Sequence, residues 1–170
     1  MANMCEFSMR LRGKQSSIET LLSYMDQSNK DIWMGRGGSI EEQDIVEEGN
    51  GMATVDISGW TKWSVYDSMI ENAKSMEEQR ITGDGVWAWD DDMSSKKRFI
   101  TLFDACKEMN INMEVTAAEP GSRYAEHYKY EDGHIMQERG NSWDEETKDG
   151  CYTHSDFDDV VFTVAMPAVA

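Results

Sequence analysis

The chain has 170 residues, with 33 Asp or Glu against 16 Lys or Arg, so its formal net charge at pH 7 is −17. That charge repels nucleic-acid phosphates and anionic membranes and favours positively charged partners. Hydrophobic residues make up 39% of the chain, which is enough for a buried core. We therefore expect one folded acidic domain spanning 1–170, which binds neither nucleic acid nor membrane directly.

The cysteines and the amino terminus indicate a cytoplasmic protein. Cys5, Cys106 and Cys151 are odd in number and far apart, a pattern typical of reduced thiols. The first residues lack the basic and apolar regions of a signal peptide. No apolar run approaches the ~20 residues of a membrane span.

The first two elements are a strand and a helix. Apolar and polar residues alternate from position 5 to 12, the period of a half-buried strand. Ser16, with Glu19 three residues later, forms a capping-box pattern. Apolar residues follow at helical spacing, so the strand is expected to lead into an amphipathic helix.

The next segments predict a hairpin and a second helix. Residues 30–38 are interpreted as a loop, and residues 39–48 as a weak polar strand. Gly49-Asn50-Gly51 fits a hairpin turn, because Gly and Asn tolerate positive φ. Residues 53–58 alternate as a strand, and residues 64–79 have a helical pattern.

The second half predicts a helix followed by strands. Residues 83–93 are interpreted as a loop, and Ser94 or Ser95 as the cap of the next helix. The apolar stripe of that helix comprises Phe99, Leu102, Phe103, Cys106 and Met109. Residues 111–117 alternate as a strand, and residues 124–130 and 135–139 form a hairpin across Asp132-Gly133. This hairpin places Tyr130 opposite Ile135, Glu126 opposite Arg139 and His127 opposite Glu138.

The end of the chain is more acidic and less regular. Residues 160–164 are interpreted as a final strand, with a frayed end beyond them. The element order suits an α+β fold, an antiparallel sheet with helices packed on one face. We favour a ferredoxin-like core over residues 1–140, with an acidic extension over 141–170.

No motif in the chain specifies catalysis, a cofactor or a metal ion. His127, His134 and His154 lack the short spacing of metal ligands. The Gly-rich segment 35–38 lacks the residues of a phosphate loop or a dinucleotide fingerprint. Asp90-Asp91-Asp92 could hold Mg²⁺ or Ca²⁺, but consecutive carboxylates converge poorly on one ion, so a solvated charge run is favoured.

Methionines and tryptophans are the other notable feature. Most of the 13 methionines are expected in the core, since five of them lie on apolar faces: Met9, Met25, Met69, Met109 and Met113. Trp60 and Trp63 bracket Thr61-Lys62, and Trp87 and Trp89 precede the triple Asp. These tryptophans either close the core under a long loop or are exposed at an interface.

Three short segments resemble the Api92/YubB-like proteins of phages and conjugative plasmids. The opening Met1-Ala2-Asn3-Met4-Cys5 is similar to that family's start, where a Trp is expected in place of Met4. Thr61-Lys62-Trp63-Ser64 resembles its Thr-x-Trp-Ser segment without the prolines that often follow. Residues 119–126 resemble its Glu-Pro-Gly-x-x-aromatic segment. The resemblance covers about residues 1–140 and implies a ferredoxin-like domain, a mobile-element setting and, for a phage protein, the host cytoplasm, but no catalytic residues.

The first functional hypothesis is an acidic inhibitor, of the anti-restriction or anti-CRISPR type, that blocks a basic nucleic-acid-binding surface of a host protein. A domain of this length has a diameter of about 40 Å. Duplex DNA carries about 24 charges over that length, comparable to −17 if the acids gather on one face. The candidate partner-binding residues are Asp90, Asp91, Asp92, Asp144, Glu145, Glu146, Asp156, Asp158, Asp159, Trp87 and Trp89.

Two other interpretations stay open. A small enzyme or ligand-binding domain could build its site near the hairpin, from Glu119, Arg123, Tyr124, His127 and Glu138. Those residue types could perform acid–base chemistry or bind a phosphate, but they also suit an ordinary charged strand face. Finally, the acidic surface could serve only solubility.

Overall fold

A computed structural model describes residues 4–35, 38–82, 95–119, 124–141 and 164–167. In chain order, these residues form β1 (Met4–Lys14), α1 (Gln15–Met25), β2 (Ile32–Trp33), β3 (Gly38–Gly49), β4 (Met52–Lys62), a π-helical turn (Asp67–Glu71) that continues into α2 (Asn72–Thr82), β5 (Arg98–Phe99), α3 (Leu102–Met109), β6 (Asn112–Glu119), β7 (Tyr124–Glu131), β8 (His134–Asn141) and β9 (Val164–Pro167). None of the helices among these residues is long and apolar enough to cross a membrane.

The main sheet has seven antiparallel strands in the order β3-β4-β1-β6-β7-β8-β9. β1 pairs with β4 on one side and with β6 on the other. The connection through α1 joins β1 to the hairpin of β3 and β4, and the connection through α2 and α3 joins β4 to β6. β2 and β5 form a separate two-stranded parallel pair. The α+β prediction, with a mostly antiparallel sheet, is confirmed.

The alternating pattern of β1 explains how the sheet buries one face. Its buried residues are Cys5, Phe7, Met9 and Leu11, and residues of α1, α3 and the neighbouring strands join them in one core. Of the methionines expected in the core, four are at least 98% buried (Met9, Met25, Met69 and Met113), and Met109 packs against the core. The other side of β1 carries Glu6, Arg10 and Arg12, and we call it the open face.

The predicted capping box at Ser16 is wrong. The strand runs straight to Lys14, and α1 begins at Gln15 with no side-chain cap. The backbone N–H of Gln15 instead donates to the carbonyl of Gly51 at 2.8 Å, in the turn that joins β3 to β4. Ser16 lies inside the helix, where its carbonyl accepts a hydrogen bond from Thr20. Tertiary contact with the hairpin thus replaces the local cap.

The predicted start of α3 is also wrong. Thr101 caps this helix, because its hydroxyl accepts from the N–H of Asp104 at 3.1 Å. Phe99 belongs to β5 and packs edge-on against Trp33, with 5.3 Å between the ring centroids. Ser95 lies well before the helix, and Ser94 lies outside the described residues.

The hairpin turns are confirmed. Gly49, Asn50 and Gly51 all have positive φ, as do Asp132 and Gly133. The register pairs Tyr130 with Ile135, Glu126 with Arg139 and His127 with Glu138, as the sequence predicts.

The last strand begins where the sequence prediction ends. Val164–Pro167 forms β9 and pairs with the start of β8. Residues 165–167, which are expected from the sequence to belong to a frayed end, are therefore part of the sheet. The rest of the predicted segment, residues 160–163, lies outside the described part of the chain.

Candidate functional site

The segment from Thr61 to Ser68 turns the chain from β4 into α2, and three hydroxyl groups hold it. Thr61 donates to the carbonyl of Trp63 at 2.9 Å, and Ser64 accepts from the N–H of Asp67 at 2.9 Å. Ser68 donates to the carbonyl of Lys62. Trp63 has a φ of 70°, a conformation that bulky residues rarely adopt and that clusters at functional sites.

A buried carboxylate from β7 holds the start of this helix. Glu126 is 1% exposed and accepts from the backbone N–H groups of Val65 and Tyr66. The Tyr128 hydroxyl donates to the same carboxylate at 2.7 Å. A carboxylate is favourable at a helix amino terminus, where N–H groups lack intrahelical partners. Glu126 therefore ties the turn at Trp63 to the sheet.

Gly35 supports the same turn from the loop that follows β2. It has a φ of +75°, and an added Cβ would overlap the carbonyl oxygen of Ser68. Only glycine permits this close approach between the loop and the π-helical turn. Three chain segments far apart in sequence thus fix the position of Trp63.

A cleft of about 370 Å³ lies beside this turn and is lined by Trp63, Asp67, Glu71, Asn72 and Ser75. Trp63 is 43% exposed, and the carboxylates of Asp67 and Glu71 are exposed as well. The Tyr66 hydroxyl donates to Glu71 at 3.4 Å. Four of the lining residues follow one another at steps of four, so one side of the helical segment faces the cleft.

The chemistry of the cleft suits a positively charged group. An indole face attracts cations, and two carboxylates accept hydrogen bonds from an ammonium or guanidinium group. Asn72 also lines the cleft, and its Oδ1 is buried with no hydrogen-bond partner in the structure. We call these five lining residues the Trp63 cleft.

The structure describes only part of the hairpin site that the sequence suggested. β6 and β7 pair Glu119 with Tyr124, and β7 and β8 pair His127 with Glu138. His127 is 1% exposed, and its Nε2 lies 2.9 Å from the carboxylate of Glu114. Because His127 alternates with Glu126 along β7, the two side chains lie on opposite faces of the sheet. Arg123 lies outside the described residues.

The acidic residues and tryptophans chosen from the sequence as partner-binding all lie outside the described residues. The described residues nevertheless include 22 of the 33 acidic and 13 of the 16 basic residues, so they carry −9 of the −17. Residues 38–82 alone hold ten acids and three bases. Most of the described negative charge therefore belongs to the β3–β4 hairpin and the helical segment after it.

Metal and thiol chemistry find little support in the described part of the chain. No three His, Cys, Asp or Glu side chains there come together as a metal site. Cys5 and Cys106 are both buried. Burial raises the pKa of the Cys106 thiol far above its ordinary value, which disfavours the reactive thiolate.

Sequence reasoning noted Trp63 as a tryptophan that either closes the core or is exposed, but it did not include Trp63 among the partner-binding residues and missed the rest of the cleft. Asp67, Glu71, Asn72 and Ser75 read as the polar side of an amphipathic helix, which is the ordinary place for such residues. The available signal was the polar series at steps of four that starts from a tryptophan. Trp63 itself does not close the core, and the exposed alternative is correct for this residue.

Comparisons with protein-family models, with curated proteins and with solved structures found no match to this chain.

Proposed function

We propose that this chain is a non-enzymatic acidic binding protein whose partner is a protein with a basic, nucleic-acid-binding surface. The observation that carries the proposal is the Trp63 cleft, which combines an exposed indole with the carboxylates of Asp67 and Glu71. A Lys or Arg side chain of the partner has the charge, the donors and the size for this cleft.

The charge of the whole chain supports the same class of partner. A net charge of −17 steers a basic protein towards the chain and speeds association at low salt. An exposed aromatic anchor beside such charges is typical of residues that dominate interface energetics. A partner held in this way would lose access to nucleic acid, and the chain would act as an inhibitor of the anti-restriction or anti-CRISPR type.

The fold is consistent with the family resemblance. The order β3-β4-β1-β6, with helical crossovers from β1 to β3 and from β4 to β6, supports a ferredoxin-like core. Thr61-Lys62-Trp63-Ser64, one of the segments that resemble the Api92/YubB-like proteins, forms the turn at the cleft. We propose membership of that family, and with it a mobile-element setting in a host cytoplasm.

The hairpin alternative has less support. Of its five residues, His127 has a described side-chain contact, and that contact is with Glu114, which the hypothesis does not include. A buried His–Glu pair across neighbouring strands is also an ordinary structural contact.

The test is affinity capture from bacterial lysate at ~0.1 and ~0.5 M NaCl, followed by a DNA-displacement assay on the purified partner. We expect a basic nucleic-acid-binding protein that is lost at high salt and that releases labelled DNA when the acidic chain is added. Asp67→Asn combined with Glu71→Gln should abolish capture. Glu19→Gln combined with Glu78→Gln changes the charge equally at exposed positions outside the cleft and should retain it. Equal capture by both double variants, or a partner that keeps its DNA, would overturn the proposal.

A further inference from the structure

β3 is one of the two edge strands of the seven-stranded sheet in the part of the chain that the structure describes; β9 is the other. β3 pairs with β4, and the side chains that can be described from Gln43 to Gly49 are all exposed. A strand in this position presents a row of backbone N–H and C=O groups to solvent, which another extended chain can pair with.

The composition of this edge is one-sided. Gly38–Gly49 contains five acids and no base: Glu41, Glu42, Asp44, Glu47 and Glu48. Arg12 binds the carboxylate of Glu48 at 2.8 Å. None of the ion pairs among the described residues includes Asp44 or Glu47.

Asp44 shows that charge compensation is incomplete on this edge. It lies directly opposite Asp56 of β4, and like charges in that relation destabilise a sheet. The carboxylate of Asp56 is bound in a bidentate pair by Arg10, at 2.7 and 3.0 Å. A cation supplied from the free side of β3 would compensate Asp44 as Arg10 compensates Asp56.

Two irregularities set the length of the free edge. The register between β3 and β4 shifts between Ile40 and Glu42 and again between Glu47 and Gly49. The regular segment between them has six residues, about 20 Å of strand. It includes Ile45 and Val46, which are 42% and 57% exposed and offer apolar contacts on both faces.

From this edge we infer that β3 adds a strand from its partner, an extended basic segment in which Lys or Arg alternates with apolar residues. A second copy of this chain is the wrong occupant, because two β3 edges would bring their carboxylates together. The inference deepens the proposed function and rests on it, since it names the kind of segment by which the basic partner would bind this chain.

The experiment uses a synthetic seven-residue peptide that alternates Lys with Val, and the full chain. Amide hydrogen exchange is measured residue by residue with and without the peptide. We expect about tenfold or greater slowing of exchange at the outward amides of residues 42–47, because pairing removes them from water. Asp44→Asn should weaken binding about two- to fivefold, the size expected for an exposed ion pair. Glu47→Gln should weaken it less, because Glu47 lies on the other face of the strand, away from lysines that pair with Asp44.

The matched control is the same peptide with every backbone nitrogen methylated, which keeps the charge and removes all its N–H donors. It should not protect residues 42–47. Equal protection by the methylated peptide would show that charge attraction is enough to protect residues 42–47, and strand addition would then be overturned. A captured partner that protects the Trp63 cleft but not β3 would also overturn the inference while the proposed function stands. Protection of β3 by the peptide without capture of any basic protein would overturn the proposed function instead.

Discussion

The geometry of the Trp63 cleft is set by residues that do not line it. Glu126 reaches from β7 to the first N–H groups of the helical segment, and Gly35 packs its backbone against Ser68. Neither residue is exposed to a partner, so both positions can be changed without altering the chemistry of the cleft. Substitutions at these two positions can therefore shift the position of Trp63 without replacing Trp63 itself.

Replacing Gly35 with Ala should destabilise the protein through a steric clash. The new Cβ would overlap the carbonyl oxygen of Ser68, which belongs to the π-helical turn. Gly51 is the matched control, because it has nearly the same φ, +74° against +75°, with nothing within 4 Å of an added Cβ. We expect Gly51→Ala to lower the free energy of unfolding by about 1–2 kcal/mol for positive φ alone. Gly35→Ala should cost about 1–3 kcal/mol more, the usual range for overpacking. Urea unfolding measures both values, and equal losses would contradict the clash.

Replacing Glu126 with Gln should also destabilise the fold. The carboxylate accepts from two backbone N–H groups and from the Tyr128 hydroxyl, and an amide nitrogen cannot accept. A buried donor left unsatisfied costs about 1–3 kcal/mol, which is the loss we expect in urea unfolding. Tyr128→Phe removes one donor and leaves the carboxylate on the helix, so its loss should be smaller. If Tyr128→Phe costs more than Glu126→Gln, the contact with the helix start is not the main role of Glu126.

At the scale of elements, the sequence predicts strands well where one face is buried. The alternation in β1 and β4 survives in the structure because one face of these strands packs into the core. In β6 it holds only as far as Val115, since Thr116, Ala117 and Ala118 are all buried. The hairpin of β7 and β8 follows from Asp132-Gly133, whose positive φ values suit the turn. Local pattern and tertiary packing agree in these elements.

The predicted starts of α1 and α3 are wrong because tertiary contacts, and not the local sequence, determine where these helices begin. The N–H of Gln15 bonds to the β3–β4 turn, which no local pattern encodes. Phe99 continues the apolar stripe of α3, yet pairing with Trp33 draws it into β5. A two-residue parallel pair between segments 66 residues apart leaves no periodic signal. The same limit applies to the cleft, whose support from Gly35 and Glu126 comes from distant positions.

Arg12 of β1 forms an ion pair with Glu48 of the β3–β4 hairpin. The contribution of this pair to stability should depend on pH. Hydrogen bonds from Arg12, then from Thr54, lower the pKa of the Glu48 carboxyl from 4.5 to about 2. Because the pKa in the folded state is depressed, the pair stabilises the fold above pH 4.5, and its contribution is lost as the pH falls towards 2. We expect wild-type and Glu48→Gln proteins to differ in urea midpoint at neutral pH and to converge near pH 2.

A carboxyl-carbon NMR titration of Glu48 tests the cause directly. Its midpoint should lie near 2 in the wild-type protein and return towards 4.5 in Arg12→Met. An unchanged midpoint in that variant would show that Arg12 does not hold the carboxylate in its charged form.

At the scale of the whole molecule, the ion pairs leave most of the negative charge uncompensated. Arg10, Arg12, Arg80 and Arg98 each bind a carboxylate, so they are engaged within the fold. Because these arginines are already paired, they do not attract an acidic partner. The surplus acids, in contrast, are exposed on β3 and at the cleft. The molecule therefore repels itself and attracts cations through the same side chains.

Self-repulsion predicts that salt stabilises this protein. The Debye length falls from ~30 Å at 0.01 M to ~8 Å at 0.15 M, so repulsion across the molecule is screened while contacts near 3 Å are weakened less. If screening adds about 1 kcal/mol, Tm should rise about 2–4 °C for a domain of this length. Calorimetry in NaCl measures this rise, and Asp67→Asn combined with Glu71→Gln should reduce it because the surplus charge is smaller. MgCl₂ at equal ionic strength is the control: a rise several times larger, saturating at low concentration, would show a specific cation site in place of diffuse screening. A fall in Tm with NaCl would show that ion pairs outweigh repulsion, and the surplus acids would then lose their role as the force that draws a basic partner.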